Sequence, residues 1–206
     1  MTVGIISLEG SNLGSLVGAL TRMESVYTIV RSPKNLLQVE RAILPGVGSF
    51  MKASVELKEN KLLSALRSFA RDGNPLMGIC LGMQLLSERG MEGGVSEGLG
   101  LIGGTTQPLP KAPGIQSQHV GWNSIKLKSS HPTTNGILDE TDFYFVHGFT
   151  VANGNAAEIL SVTNHGEDFV SAVSSRNVVG FQFHPEKSQK PGQKIFENFL
   201  AWDGKC

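Results

Sequence analysis

The run Asn74-Pro75-Leu76-Met77-Gly78-Ile79-Cys80-Leu81-Gly82-Met83-Gln84-Leu85-Leu86 constrains this chain more than any other stretch. Residues 75–79 are short and apolar throughout, the pattern of a strand buried on both faces. Residues 81–89 suit a helix, so the backbone has to turn sharply at Cys80. The spacing Gly78-Ile79-Cys80-Leu81-Gly82 is that of a nucleophile elbow, with sulfur in place of the serine oxygen. Such a turn lifts the thiol out of the sheet and sets it at a helix N-terminus, where free amides and the helix dipole favour an anion. An isolated cysteine after an apolar run is more commonly a small core residue. The flanking glycines and the helix beginning at this point favour a nucleophile instead.

The rest of the first half repeats the same alternation. Residues 3–8, 27–30 and 42–45 read as strands, and residues 57–71 as an amphipathic helix. Residues 13–20 read as a helix with Ser11 or Asn12 as its N-cap. Apolar strands alternating with helices predict an α/β fold with a mostly parallel central sheet covered on both faces. The second half changes character. Residues 103–114 are rich in Gly, Pro and Thr and read as loop. Short segments at 123–127, 142–146, 157–162, 169–173 and 178–183 alternate apolar and polar residues, as half-exposed additional strands do. A helix over 193–202 closes the chain. No internal repeat, charge block or linker divides the sequence, so residues 1–206 are expected to form a single domain.

Composition narrows the classes of function. With 206 residues the chain is long enough to bury a sizeable core, and 18 basic residues balance 18 acidic ones. Neutral charge argues against a nucleic-acid or membrane surface. The two cysteines are Cys80 and the terminal Cys206, a pairing that would tie the elbow to the tail, so a reducing cytoplasmic setting is expected. The first residues lack the basic and apolar regions of a signal peptide, and no apolar run approaches the length of a membrane span.

A base for the thiol lies far downstream, in Phe181-Gln182-Phe183-His184-Pro185-Glu186. His131, His165 and His119 read as loop or interface residues, the usual fate of a histidine. His184 instead follows an apolar strand and stands two residues from Glu186. Functional groups in a parallel sheet gather at the C-terminal ends of strands, where Cys80 and His184 are both expected. Cys80 as nucleophile, His184 as base and Glu186 as the group orienting the base are the minimal equipment for acyl transfer through a thioester. Pro45-Gly46-Val47-Gly48 follows the third strand and reads as the oxyanion loop, with Val47 or Gly48 supplying one amide and Leu81 the other. A peptide flip in this glycine-rich loop would act as an activity switch.

Together these residues resemble the class-I (triad) glutamine amidotransferases, and among them the family of glutaminase subunits of imidazole glycerol phosphate synthase. The similarity also covers Glu97-Gly98-Leu99-Gly100-Leu101-Ile102, His119-Val120-Gly121-Trp122-Asn123, Phe143-Tyr144-Phe145-Val146-His147 and Lys187-Ser188. The second and third of these segments discriminate among the amidotransferases. The resemblance implies a flavodoxin-like glutaminase domain with no metal or cofactor. Its partner would be a (β/α)8-barrel cyclase subunit in a heterodimer. Glutamine would be hydrolysed through a cysteinyl thioester, and its ammonia passed to the cyclase to form imidazole glycerol phosphate and an aminoimidazole carboxamide ribotide in histidine biosynthesis. By the same matching, Gln84 and Glu92 would hold the α-amino and α-carboxylate end of glutamine, and Gly148 and Phe149 would offer main-chain contacts. Asn12, His119, Trp122, Asn123, Tyr144 and Lys187 would face the partner.

The chain departs from the family pattern at Ser7-Leu8-Glu9-Gly10-Ser11, at Gln118 where a proline is usual, and at Gly148-Phe149. Three other readings remain open on the residues alone: a glutaminase serving another synthase, a catalytically silent regulatory module, and a cysteine hydrolase acting on another amide.

Overall fold

Strands and helices alternate through the first half of the computed structural model, which describes residues 1–9, 11, 13–110, 113–152 and 155–205. In order they are β1 (Thr2–Ile6), α1 (Gly14–Arg22), β2 (Val26–Val30), α2 (Pro33–Leu36), β3 (Arg41–Gly46), α3 (Phe50–Glu59), α4 (Leu62–Arg71), β4 (Leu76–Cys80) and α5 (Leu81–Leu86). Short strands follow: β5 (Arg89–Gly90), β6 (Ser96–Glu97), β7 (Thr105–Pro108), β8 (His119–Ser124), β9 (Lys126–Leu127), β10 (Asp142–His147) and β11 (Phe149–Ala152). The chain ends with β12 (Ile159–His165), β13 (Glu167–Ser175), β14 (Val178–Phe181) and α6 (Gln189–Ala201).

The main sheet has the order β2-β1-β3-β4-β14-β13-β12-β9. Its first five strands run parallel, and β13, β12 and β9 continue it antiparallel. β3 and β4 are buried at every position, as strands covered on both faces must be. One face packs Ile6, Leu44, Phe50, Leu57 and Leu66, the other Ile5, Ile43, Phe181, Phe196 and Phe199. Two smaller sheets, the ribbon β8-β10 and the group β11-β7-β5-β6, stand beside the main one. Register puts Gly46 opposite Cys80 and Phe181 opposite Ile79. The residues that leave β3 and β14 therefore emerge on either side of the elbow.

Several sequence expectations are corrected. The helix expected over 57–71 is two helices, α3 and α4, because Lys61 takes the left-handed conformation (φ 60°). The buried residues of α3 are Phe50, Ala53, Ser54 and Leu57, a helical period interrupted by a polar serine. Residues 103–114 are not all loop, since β7 pairs with β11 and with β5, a tertiary contact that local composition does not reveal. Helix α1 has no side-chain cap: Leu13 occupies the N-cap position, and Ser11 Oγ instead accepts from the Leu8 amide. Asn12, Gly10 and Cys206 lie outside the described residues. Helix α6 starts at Gln189 rather than 193, with Pro191 in its first turn, where a missing N–H costs nothing.

Glycine matters most at the elbow. A Cβ on Gly82 would overlap the carbonyl of Leu44, and one on Gly78 would sit 2.7 Å from the backbone of Gly82 and Met83. Helix α5 therefore lies directly on the backbone of β3 and β4. Gly82→Ala should lower stability by at least about 3 kcal/mol, a fall of roughly 10 °C in the melting temperature. Gly18→Ala is the control. Its added methyl lies inside α1 and meets only the end of Arg22 at 3.4 Å, so it should be neutral or stabilising by up to about 1 kcal/mol in the same melting experiment.

Candidate active site

Cys80 ends β4 and precedes α5, with φ 53° and ψ −111°. For a residue with a Cβ this conformation costs about 1–3 kcal/mol, and it persists only where its surroundings enforce it. Gly78 and Gly82 supply that enforcement, because the close helix–strand approach they permit leaves the chain one way to turn. Leu81 is the first residue of α5, so its amide has no acceptor within the helix and points toward the turn.

Beside the elbow, Gln182, Phe183 and His184 continue from β14. The His184 amide donates to the Tyr144 carbonyl at 2.9 Å, and the Ser188 hydroxyl donates to the His184 carbonyl at 2.6 Å. The short turn Pro185–Lys187 then brings Glu186 back, so that His184 Nδ1–H donates to Glu186 Oε1 at 2.7 Å. Glycine is needed at position 192 of α6 because a Cβ there would overlap the Pro185 carbonyl, so the helix packs directly against this turn. His184 is 2% exposed. Burial works against charge on its ring, but the Cys80 sulfur and the Glu186 carboxylate outweigh that, and the pKa is raised to about 10. His184 Nε2 is buried with no neutral hydrogen-bond partner among the described residues, and with the pKa near 10 it carries its proton at neutral pH. The sulfur lies 3.7 Å from the Val146 carbonyl and accepts from Gln182 Nε2 at 3.6 Å.

The thiol opens into a cavity of about 420 Å³ lined by Val47, Gly48, Leu81, Gln84, Glu92, Gln118, Val146, His147, Gly148 and Phe149 among others. The residues expected at the oxyanion and at the substrate thus surround Cys80. The detail differs from expectation in three respects. Pro45 and Gly46 belong to β3 and pair with Ile79 and Cys80, so a flip is restricted to the peptides around Val47 and Gly48, where Gly48 has φ 100°. Gln84 is buried, and its amide nitrogen is already engaged by the Phe149 carbonyl at 3.0 Å and Gln182 Oε1 at 3.1 Å. Glu92 accepts the Phe50 amide at 2.6 Å, satisfying the first N–H of α3. The Gly148 carbonyl accepts from the Leu109 amide, so both the Gly148 and Phe149 carbonyls are occupied within the chain.

His147, on the cavity wall, is backed by His119. His147 Nδ1 lies 2.8 Å from the Phe149 carbonyl and must donate to it. Burial lowers the pKa of His147 to about 3, so the ring is neutral and its Nε2 is an acceptor. His119 Nδ1 at 3.2 Å therefore donates, and its own Nε2 accepts from Asn123 Nδ2 at 3.1 Å. Burial likewise lowers His119, to about 4. His119 was expected on the surface facing a partner. It is 4% exposed and stacks on Phe145, because β8 turns this position toward the aromatic core. His131 is buried as well, against Trp202. The outer face of the ribbon carries Val120, Trp122 and Val146, all exposed, with Tyr144 against Trp122 and Lys187 Nζ 5.7 Å from the Tyr144 ring centre. Asn123 is half-buried and tied to the Asn164 carbonyl. The sequence reading missed Gln182. Its one signal was a polar residue at a position where β14 and its continuation are otherwise apolar.

The family model for glutamine amidotransferase class-I matches residues 5–202. The chain is 38% identical over 200 residues to imidazole glycerol phosphate synthase subunit HisH 1 of Campylobacter jejuni strain RM1221, covering 96% of this chain and 98% of the relative. The HisH subunit of Aquifex aeolicus is also 38% identical, with 97% of this chain and 96% of the relative covered. Among solved structures, PurLQS from Thermotoga maritima superposes with a TM-score of 0.77 at 19% identity, over 97% of each chain. The glutaminase domain of Trypanosoma brucei CTPS gives 0.66 at 15%, over 98% of this chain and 92% of that one. At these identities the structural matches speak to the fold.

Glu186→Gln should lower the His184 pKa well below about 10, read by NMR titration of the ring, because the carboxylate's charge is lost while burial remains. The sign for stability follows. A folded-state pKa raised above the ordinary value of about 6.5 stabilises the fold fully below that pH, and the contribution is lost as pH rises toward 10. The wild-type melting temperature should therefore fall over that window more than that of Glu186→Gln.

Proposed function

The chain belongs to the class-I glutamine amidotransferase family, and on that premise we propose that it is the glutaminase subunit of imidazole glycerol phosphate synthase, acting in histidine biosynthesis. The observation that carries the mechanism is the strained Cys80 elbow opening into the cavity beside His184 and Glu186. The side-chain amide of glutamine enters with its carbonyl carbon over the sulfur. With its proton already held on His184 Nε2, Sγ attacks as the thiolate, and the oxygen that becomes negative accepts from the Leu81 amide and from an amide at Val47 or Gly48. His184 returns the proton to the amide nitrogen, which leaves as ammonia, and water then hydrolyses the γ-glutamyl thioester with the same imidazole as base. Glu186 holds the ring by Nδ1 throughout. Gln84 has its amide nitrogen engaged, which leaves its carbonyl oxygen for the α-ammonium of glutamine, with Glu92 as counter-charge.

The relatives are named as subunits, and the partner we propose is a (β/α)8-barrel cyclase subunit that takes up the ammonia. The apolar outer face of the ribbon supports this reading. Val146 both lines the glutamine cavity and stands on that face, so a partner covering Trp122, Tyr144 and Lys187 would meet the ammonia where it is released. No helix among the described residues is long and apolar enough to cross a membrane. We place the protein in the cytoplasm with its pathway.

The test is ammonia release from glutamine by the chain alone and with the barrel subunit and its nucleotide ligand. Cys80→Ala should abolish glutamine hydrolysis while ammonia-supplied cyclisation by the complex persists. Residual hydrolysis well above background in that variant would sink the nucleophile assignment. Gly48→Ala tests the oxyanion loop. A Cβ at φ 100° costs roughly 1–2 kcal/mol although it meets no neighbour. It should reduce the stimulation of hydrolysis by the nucleotide about tenfold or more.

A further inference from the structure

The polar groups behind Cys80 form one line of hydrogen bonds whose directions are fixed by its members. The Phe149 carbonyl can only accept, so the group of Gln84 that faces it at 3.0 Å is the amide nitrogen. That same nitrogen lies 3.1 Å from the Gln182 side chain, which must then present its oxygen. The Gln182 amide nitrogen is left facing the Cys80 sulfur at 3.6 Å. Reversing Gln84 would set its oxygen against the Phe149 carbonyl, and reversing Gln182 would set two N–H groups against each other, in a place where Gln182 is 0% exposed and Gln84 4%. The carbonyl at the head of the line is itself held by His147 Nδ1–H, which fills its second lone pair.

We propose that Gln182 is a further catalytic residue, whose side-chain N–H donates to the Cys80 sulfur and stabilises the thiolate that attacks glutamine, in an orientation dictated by Gln84 and the Phe149 carbonyl. The inference rests on the glutaminase reading for its substrate and deepens it. With the thiol proton on His184 Nε2, charge resides on a sulfur that is 6% exposed as a residue. Imidazolium meets it from one side. The Gln182 amide meets it from another, keeps its own proton throughout, and needs no rearrangement as the charge forms. The amide is bound to the sheet by its own backbone, since Gln182 N donates to the Ser171 carbonyl at 2.9 Å. A thiol needs no such donor, whereas a thiolate gains a charge-assisted hydrogen bond.

The decisive measurement is alkylation of Cys80 by iodoacetamide in the full chain bound to its barrel partner, without glutamine, across pH, beside steady-state glutamine hydrolysis. Gln182→Met should slow alkylation about tenfold near pH 7 and recover the wild-type rate at high pH, where the thiolate forms unaided. Its kcat should fall about tenfold with KM changed less than about twofold. Gln182→Glu keeps the side chain's size and sets a carboxylate beside the sulfur, so it should slow alkylation further. It carries the test if the Met variant fails to fold. An alkylation profile matching wild type in either folded variant overturns the proposal, even if turnover falls. Because alkylation needs no glutamine, it reads the role of Gln182 independently. A wild-type complex that alkylates readily but releases no ammonia from glutamine would count against the glutaminase reading instead.

Discussion

The contact on which the site depends is the one between helix α5 and the backbone of β3, at Gly82 and the Leu44 carbonyl. No side chain fits there. Because the helix lies so close, the chain between β4 and α5 has no slack, and Cys80 takes a left-handed φ that a looser junction would relax. Three consequences follow from that one approach. The thiol is raised above the strand ends, the Leu81 amide is left free at the helix start, and the register of β3 beside β4 brings Gly46 alongside Cys80, with the loop at Val47 and Gly48 next in the chain. On the other side the same sheet delivers Gln182 and His184 from β14. The fold supplies position, and the local charges then decide what each group does.

Those charges divide the histidines. His184 and His147 are both deeply buried, and burial pushes both toward the neutral form. Their pKa values nonetheless stand near 10 and near 3. The difference lies in the charged neighbours: the Cys80 sulfur and the Glu186 carboxylate for His184, against only a backbone carbonyl at Nδ1 for His147. An anion repays the cost of burying charge, while a neutral acceptor only fixes the tautomer. One imidazole thereby carries its proton beside the Cys80 sulfur at neutral pH. The other becomes a rigid link, because a neutral ring with one nitrogen committed has a single direction in which to pass the next hydrogen bond.

How far the sequence could be read follows from which contacts are local. Cys80, His184 and Glu186 were legible because an elbow and a two-residue separation are local patterns that can be spelled out in order. The parallel half of the sheet was legible for the same reason, since strands covered on both faces read as unbroken apolar runs. Helix α3 was not, because its period is broken by Ser54, whose hydroxyl is satisfied by the carbonyl of Glu97, a residue far along the chain. Nor was β7, which is a strand only by virtue of β11 and β5. The interior position of His119 depends on a stacking contact with Phe145 in the neighbouring strand, and a lone histidine in a sequence gives no warning of that. Gln182 was overlooked because a buried amide acquires meaning only from the two groups it joins.

Val146 connects the remaining pieces. In the ribbon it pairs with Val120 and turns its side chain outward, while its carbonyl stands 3.7 Å from the Cys80 sulfur. A strand alternates its side chains but keeps its carbonyls in the plane of the sheet, so a single residue can offer one group to a partner and another to the active site. An exposed run of Val120, Trp122 and Val146 costs a free monomer solubility and is retained at no evident gain to the glutaminase half alone. It becomes intelligible when the surface is covered. The covering chain would then rest on the residue whose carbonyl stands 3.7 Å from the sulfur, on the ribbon whose inner face carries the His119–His147 pair. Seated there, a partner would bear on the strand whose carbonyl stands beside the sulfur and whose neighbouring His147 holds the Phe149 carbonyl, the two ends of the line that orients Gln182.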